Sequence, residues 1–322
     1  MVRVGCWFSW EPHMFTSPRP MEGQGRYPEV DFDSDGYRFT CWKSLGAPRG
    51  VEFIDFSDVN DYSTLDAAIY VESPDFNSPI YKEVNSPKFV YISEPPCIAP
   101  NNWSKATHDK FDYVFTSNTD LIDGKKYFRH TVAHRFPATV PQGLEGRDRF
   151  CVLVAHGAKS FGGPSISIYH ERHNTANWFS MNHPEELDLY GIGWPGSNRC
   201  YKGVMNEPKT VAFQRYKFSI CYENTKDFPG YVTEKLHHSL IAGCIPVYWG
   251  AADVANTVPT ECFIDRRNFS NHEELYSFLH SITDEDYMRY QKAIAAYILD
   301  PGNIYKAENN ASYMIDVLLD RV

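Results

Sequence analysis

Tyr216-Lys217-Phe218-Ser219-Ile220-Cys221-Tyr222-Glu223-Asn224, then Tyr231-Val232-Thr233-Glu234-Lys235-Leu236, then Ala242-Gly243-Cys244-Ile245-Pro246-Val247-Tyr248-Trp249-Gly250, is the stretch that decides the fold class. Its apolar runs predict strands over residues 216–222 and 244–249, with a polar loop and a short helix over residues 232–242 between them. That is a βαβ unit. Charged and amide side chains gather at the carboxyl end of the first strand and at the start of the helix, where open α/β sheets bind ligands.

Working outward, β-rich runs recur at residues 3–8, 51–56, 67–71, 89–93 and 112–116, separated by loop-rich stretches with prolines and glycines clustered at 18–26 and 95–100. A second series, at 150–155, 187–191, 216–222, 244–249 and 262–264, is interleaved with helical patterns over 165–181, 210–214, 232–242 and 273–282. Alternating β and α is the sign of a parallel sheet. The tail, 284–322, reads as two helices broken at Pro301-Gly302, and the polar stretch 141–147 reads as a linker. The expectation is an α/β chain of two Rossmann-like domains, 1–146 and 147–302, facing across a cleft. A C-terminal helix within 303–322 would pack back on the first domain.

Bulk properties narrow the function. The 322 residues are 43% hydrophobic and 15% aromatic, enough for sizeable cores and against disorder. A net charge of −10 argues against nucleic-acid binding, which needs a basic face. No apolar run reaches the roughly 18–20 residues that span a bilayer. Residues 1–7 read as a strand and not as a signal peptide, so a soluble cytoplasmic protein is expected, without an integral membrane segment. Eight scattered cysteines without C-x-x-C point to buried thiols. The sequons at Asn102, Asn268 and Asn310 carry little weight without a secretory signal.

Within the helix over 232–242, Leu236 and Leu240 share a face and Gly243 occupies the position of a left-handed cap. Glu234 suits the positive helix end, whereas Lys235 opposes it. Lys235 is therefore either a surface lysine or, with free backbone N–H groups, a diphosphate ligand. Asn224 and Tyr231 flank the turn at Pro229-Gly230 and could serve turn chemistry or contact a nucleotide. Arg172 interrupts the apolar stripe of Tyr169, Ala176 and Phe179, so it either pairs with an internal carboxylate or faces an anion. His170 and His173 lack a third metal ligand. Glu94, between a buried run and Pro95-Pro96, is either a loop cap or a general base facing the cleft. No D-x-D is placed to bridge a metal to a diphosphate, and Gly157 with Gly162-Gly163 matches no nucleotide fingerprint. Hydride transfer, P-loop hydrolysis and serine hydrolysis lose support.

At these residues the chain resembles the α-1,3/1,4-fucosyltransferase family, GT-B enzymes that use GDP-fucose. The resemblance centres on residues 216–224, 231–235 and 245–250, extends through Phe263-Ile264-Asp265, and is weaker at Leu187-Asp188-Leu189-Tyr190-Gly191 and Tyr91-Ile92-Ser93-Glu94. It implies that Glu94 is the general base and that Arg172, Asn224, Tyr231, Glu234 and Lys235 bind the donor. Lys235 would meet the diphosphate and Glu234 the ribose or fucose. It implies inverting transfer of L-fucose from GDP-β-L-fucose to an oligosaccharide acceptor, with no metal and no cofactor beyond the donor. Two other readings stay open: a GT-B transferase using another nucleotide sugar, and a non-catalytic nucleotide- or glycan-binding protein.

Overall fold

The computed structural model describes residues 1–9, 36–157 and 166–322. Segment 18–26, Gly162-Gly163 and the expected start of a helix at Ser165 lie outside the described residues.

Continuous apolar runs such as Ala67–Val71, buried at every position, cannot tolerate a wet face, and they form strands covered on both sides. The first half holds β1 (Val2–Phe8), β2 (Val51–Asp55), β3 (Ala67–Val71), β4 (Lys88–Ile92), β5 (Tyr113–Thr116) and β6 (Tyr127–Arg129). They pair in the order β2-β1-β3-β4-β5-β6, every pair parallel. The second half holds β7 (Arg149–Val154), β8 (Leu187–Tyr190), β9 (Tyr201–Gly203), β10 (Tyr216–Tyr222), β11 (Ile245–Trp249) and β12 (Ile264–Asp265). These run β12-β11-β10-β7-β8-β9, again all parallel. The strand order reverses between β1 and β3 in one sheet and between β7 and β10 in the other. Ligands bind outside the carboxyl ends of strands at such switch points.

The helices are α1 (Gly36–Gly46), α2 (Pro79–Lys82) and α3 (Lys105–His108) in the first half. In the second they are α4 (Tyr169–Asn182), α5 (Lys209–Ala212), α6 (Glu234–Ile241), α7 (His272–Ser281), α8 (Asp284–Leu299) and α9 (Ala307–Leu319). The expected tail is present, with α8 and α9 separated at Pro301-Gly302. α9 leaves the second half and joins the first core, where Ala311, Met314, Ile315 and Leu318 cluster with Phe39 and Trp42 of α1. Burying each large side chain there contributes roughly 1.5–3 kcal/mol.

Three features depart from the sequence reading. α1 replaces an expected loop: its Tyr, Phe, Thr, Cys and Trp are weak helix formers, but Phe39 and Trp42 are buried edge to face, 4.9 Å between centroids. Packing overrides propensity here. The edge strands β6 and β9, three residues each, are too short to show a period. The stretch expected to be a linker ends in a buried anchor: the Arg147 guanidinium donates to the carbonyls of Phe213, Tyr216 and Ala242 at 3.3, 2.9 and 2.7 Å. All eight cysteines are buried free thiols. No helix among the described residues is long and apolar enough to cross a membrane.

Candidate active site

β10 delivers its last residues to a switch point. Tyr222 is the final strand residue, and Glu223 follows it, fully buried, its N–H still donating to the Trp249 carbonyl at 2.9 Å. A buried carboxylate is costly unless its lone pairs are filled. Glu223 fills them: Oε1 accepts from the Thr233 N–H at 2.8 Å and Oε2 from the Thr233 hydroxyl at 2.7 Å, while Lys235 Nζ stands 3.5 Å away. Thr233 is also the N-cap of α6, its hydroxyl accepting from the Lys235 N–H. Strand exit, cap and lysine are thus one hydrogen-bonded unit.

Lys235 lies between acids, with Glu234 Oε1 3.0 Å from its ammonium and its side chain 18% exposed. It is not a free surface lysine. Desolvation disfavours its charge, but Glu234 and Glu223 outweigh that and hold its pKa up. Burial pushes Glu223 upward, opposed by Lys235. Glu234, also 4.0 Å from Lys209 Nζ, is held well below the carboxylate range, because Lys235 and Lys209 outweigh its desolvation. The misplaced cation at the positive end of α6 is therefore compensated by two carboxylates.

Arg172 turns its guanidinium onto protein oxygens rather than an internal carboxylate. It is 2% exposed, and one terminal nitrogen donates to the Tyr222 and Glu223 carbonyls at 2.8 and 2.7 Å and to Asn224 Oδ1 at 3.0 Å. Its described hydrogen-bond partners are protein oxygens at the end of β10, and it stacks on Tyr169 at 4.2 Å. Asn224 Oδ1 also accepts from the Tyr169 hydroxyl at 3.3 Å. Tyr231 is buried against the loop after β10; burial, then the Glu94 and Glu223 carboxylates, push its phenol far up.

That loop meets the first half. Gly230, at φ +71°, lies where an added Cβ would collide with the Ser117 carbonyl oxygen, so glycine is required twice over. Asp253 accepts from the Gly230 N–H and from the Thr119 hydroxyl, both at 2.7 Å, joining the two halves. Cys97 donates to the Asn224 carbonyl at 3.4 Å, and Trp103 packs edge to face on Phe228 at 4.8 Å. The segment carrying Glu94 thus abuts the segment carrying Asn224 and Tyr231.

Glu94 follows β4 by two residues, its carbonyl held by the Trp103 indole N–H at 2.9 Å. It opens onto a cavity of about 1070 Å³ together with Glu72, Asp75, Phe76, Asn101 and Lys110. Glu72 follows β3 directly, in the left-handed region at φ +66°, a conformation that costs a non-glycine residue roughly 1–2 kcal/mol. Its Oε1 accepts from the Ser93 and Glu94 N–H groups at 2.7 and 3.0 Å, and Oε2 from the Asn102 amide. Burial pushes its pKa up to about 8, against the pull of those two amides.

The structure therefore brings Glu94, Asn224, Tyr231, Glu234 and Lys235 to one region, with Arg172 bracing it from beneath. Sequence reasoning missed Glu72, Glu223 and Asp253. For the first two a signal existed: an acid immediately after a buried strand run. Among the described residues no group of three or more His, Cys, Asp or Glu is arranged to hold a metal.

Comparison with known proteins bears on this arrangement. Residues 166–308 match the model of glycosyltransferase family 10 (fucosyltransferase), C-terminal part. The α-(1,3)-fucosyltransferase FucT of Helicobacter pylori is 34% identical over 84 residues, 26% of this chain and 17% of that protein. An α-(1,4)-fucosyltransferase of Arabidopsis thaliana is 38% identical over 74 residues, 23% of this chain and 18% of that protein. Human α-(1,3)-fucosyltransferase 4 is 32% identical over 118 residues, 35% and 21% of the respective chains. The matched stretches thus span about a fifth of these relatives. A crystal structure of an α1,3-fucosyltransferase with GDP superposes with a TM-score of 0.61 at 15% identity, covering 100% of this chain and 91% of that one. The fold is GT-B, and residues 166–308 are similar to the C-terminal part of glycosyltransferase family 10, the fucosyltransferases.

Proposed function

We propose that this chain is an α-1,3/1,4-fucosyltransferase, moving L-fucose from GDP-β-L-fucose to a hydroxyl of a glycan acceptor with inversion at the anomeric carbon. The observation that carries this reading is the contact of the segment bearing Glu94 with the loop bearing Asn224 and Tyr231, through Cys97 on the Asn224 carbonyl at 3.4 Å and Trp103 on Phe228 at 4.8 Å. Glu94 opens on a cavity lined by first-half residues, and Lys235 lines a separate small cavity with Lys209 and His238; a base and compensated cations are the two parts an inverting transfer needs. A relative in fold has been solved with GDP-fucose, which agrees with a GDP-sugar donor.

The acceptor oxygen attacks the anomeric carbon from the face opposite GDP and passes its proton to the Glu94 carboxylate. The bond from the anomeric carbon to the β-phosphate oxygen breaks, and GDP leaves. The transition state has oxocarbenium character, as in glycoside hydrolysis. Lys235 and the N–H groups opening α6 stabilise the charge that builds on the diphosphate, with Arg172 adding positive potential from beneath. Glu234, beside Lys235, takes the ribose or fucose hydroxyl in this reading. In this reading the leaving group is neutralised by side chains, without a metal.

Glu94→Gln keeps the shape and removes the base. Its kcat in a labelled GDP-fucose transfer assay is expected to fall about 10²–10⁴-fold, with GDP affinity unchanged within twofold. Full activity in that variant removes Glu94 as the base. Thermal stabilisation by UDP and not by GDP would move the donor assignment to another nucleotide sugar.

A further inference from the structure

Glu72 has no place in the scheme above, yet it is among the most constrained side chains of the first half. It is 5% exposed and carries a left-handed backbone, and its carboxylate lies beneath the residue proposed as base. Among the described residues both carboxylate oxygens accept from groups that shape the cavity: the consecutive amides of Ser93 and Glu94, and the side chain of Asn102. Asn102 is fixed in its turn. Its Oδ1 accepts from the Ser73 N–H at 3.1 Å, and its carbonyl meets His108 Nε2 at 2.8 Å. Its amide nitrogen must therefore point at Glu72, and it cannot flip without setting donor against donor. The charged groups whose fields reach Glu72 are Glu94, from the turn after β4, and Arg38, from α1. Two prolines follow Glu94, so the N–H groups held by Glu72 are the last two before a stretch with no donors.

We propose that Glu72 is the positioning residue for Glu94: by holding the Ser93 and Glu94 amides against Asn102 it sets the direction from which the base faces an acceptor hydroxyl. The inference deepens the fucosyl-transfer reading and rests on it for the role of Glu94. It explains why an acid occupies a left-handed position at a switch point. A glycine would relax the backbone but leave two amides of the Glu94 turn without their acceptor.

The test uses the exchange of one amide and one carboxylate. Glu72→Gln can still accept the two N–H groups, but its own amide then confronts the amide of Asn102. The double variant Glu72→Gln/Asn102→Asp restores every donor–acceptor match, because the carboxylate it places at position 102 accepts both from the Ser73 N–H and from the new amide at position 72. Steady-state transfer from GDP-fucose is read beside hydrogen exchange of the peptide over residues 92–97, whose amides are few because of the prolines. The expected result is a kcat at least tenfold lower in Glu72→Gln, a donor KM within twofold of wild type, and faster exchange confined to that peptide. The double variant should recover most of both signals. Wild-type kcat in Glu72→Gln overturns the proposal. So does a parallel loss of kcat and donor KM with faster exchange throughout the chain, which marks a merely structural residue. If the wild-type chain transfers no fucose, the functional reading fails. Hydrogen exchange then decides alone: unchanged protection in Glu72→Gln overturns the positioning role, and local loss repaired by the double variant sustains it.

Discussion

The two switch-point strands, β3 and β10, end in the same way and keep opposite company. Each is followed at once by a buried glutamate that accepts backbone N–H groups from the next functional segment: Glu72 from Ser93 and Glu94, Glu223 from Thr233. Beside Glu223 stands a cation, Lys235, at 3.5 Å; the charges acting on Glu72 are a second acid, Glu94, and the more weakly felt Arg38. The same device thus holds a positive centre in one half and builds an acidic corner in the other. The lesson is that a buried strand-end carboxylate serves first as a backbone clamp. Its neighbour sets the chemistry.

The comparison breaks hardest on the cationic side. Lys235→Ala leaves Glu223 fully buried without its counter-ion, and removing one partner of a buried pair costs roughly 3–5 kcal/mol. Glu234 and the partial exposure of Lys235 place the expected loss at the lower end, about 3 kcal/mol, measurable by urea unfolding of the ligand-free protein. The reverse change, Glu223→Ala, leaves an ammonium that still has Glu234 and solvent, so it should cost less. Equal losses in the two variants would mean that Glu223 is not held by the pair.

The acidic side is sharpened by pH. The native pKa of Glu72 is raised from 4.5 to about 8 by burial, so its contribution to stability is complete below about pH 4.5 and is lost as pH rises through about 8. Wild type should therefore lose Tm between about pH 4.5 and 8 relative to Glu72→Gln, which has no proton to release there, and change no further above that. Parallel Tm curves would place the Glu72 titration elsewhere.

The smallest effect concerns the join between the halves. Thr119→Val removes one hydrogen bond to Asp253, which keeps its bond to Gly230. About 1 kcal/mol is expected, a shift of roughly 2 °C by differential scanning fluorimetry. A larger loss would make this contact a principal tie across the cleft.

The second sheet and the Lys235 block were legible because parallel strands covered on both faces write uninterrupted apolar runs, and because a lysine in the first turn of a helix violates a local rule. The position of Glu94 just past a strand end was legible from the apolar run before it and the proline pair after it. Other features are written only in three dimensions. Glu72 matters through donors at residues 93, 94 and 102, Asp253 through Thr119 and Gly230, and Arg172 through carbonyls about fifty residues away. No window of sequence contains those partners. α1 was hidden for another reason: residues with poor helix propensity are held helical by Phe39 and Trp42 buried against α9.

The assignment of the β10–α6 block to a GDP-sugar is tested most directly by isothermal titration of GDP into wild type, Lys235→Ala and Glu94→Gln. The account predicts saturable binding to wild type, an affinity at least about 30-fold weaker in Lys235→Ala, which corresponds to some 2 kcal/mol, and binding within twofold of wild type in Glu94→Gln. GDP affinity unchanged in Lys235→Ala, or lost in Glu94→Gln, would contradict it.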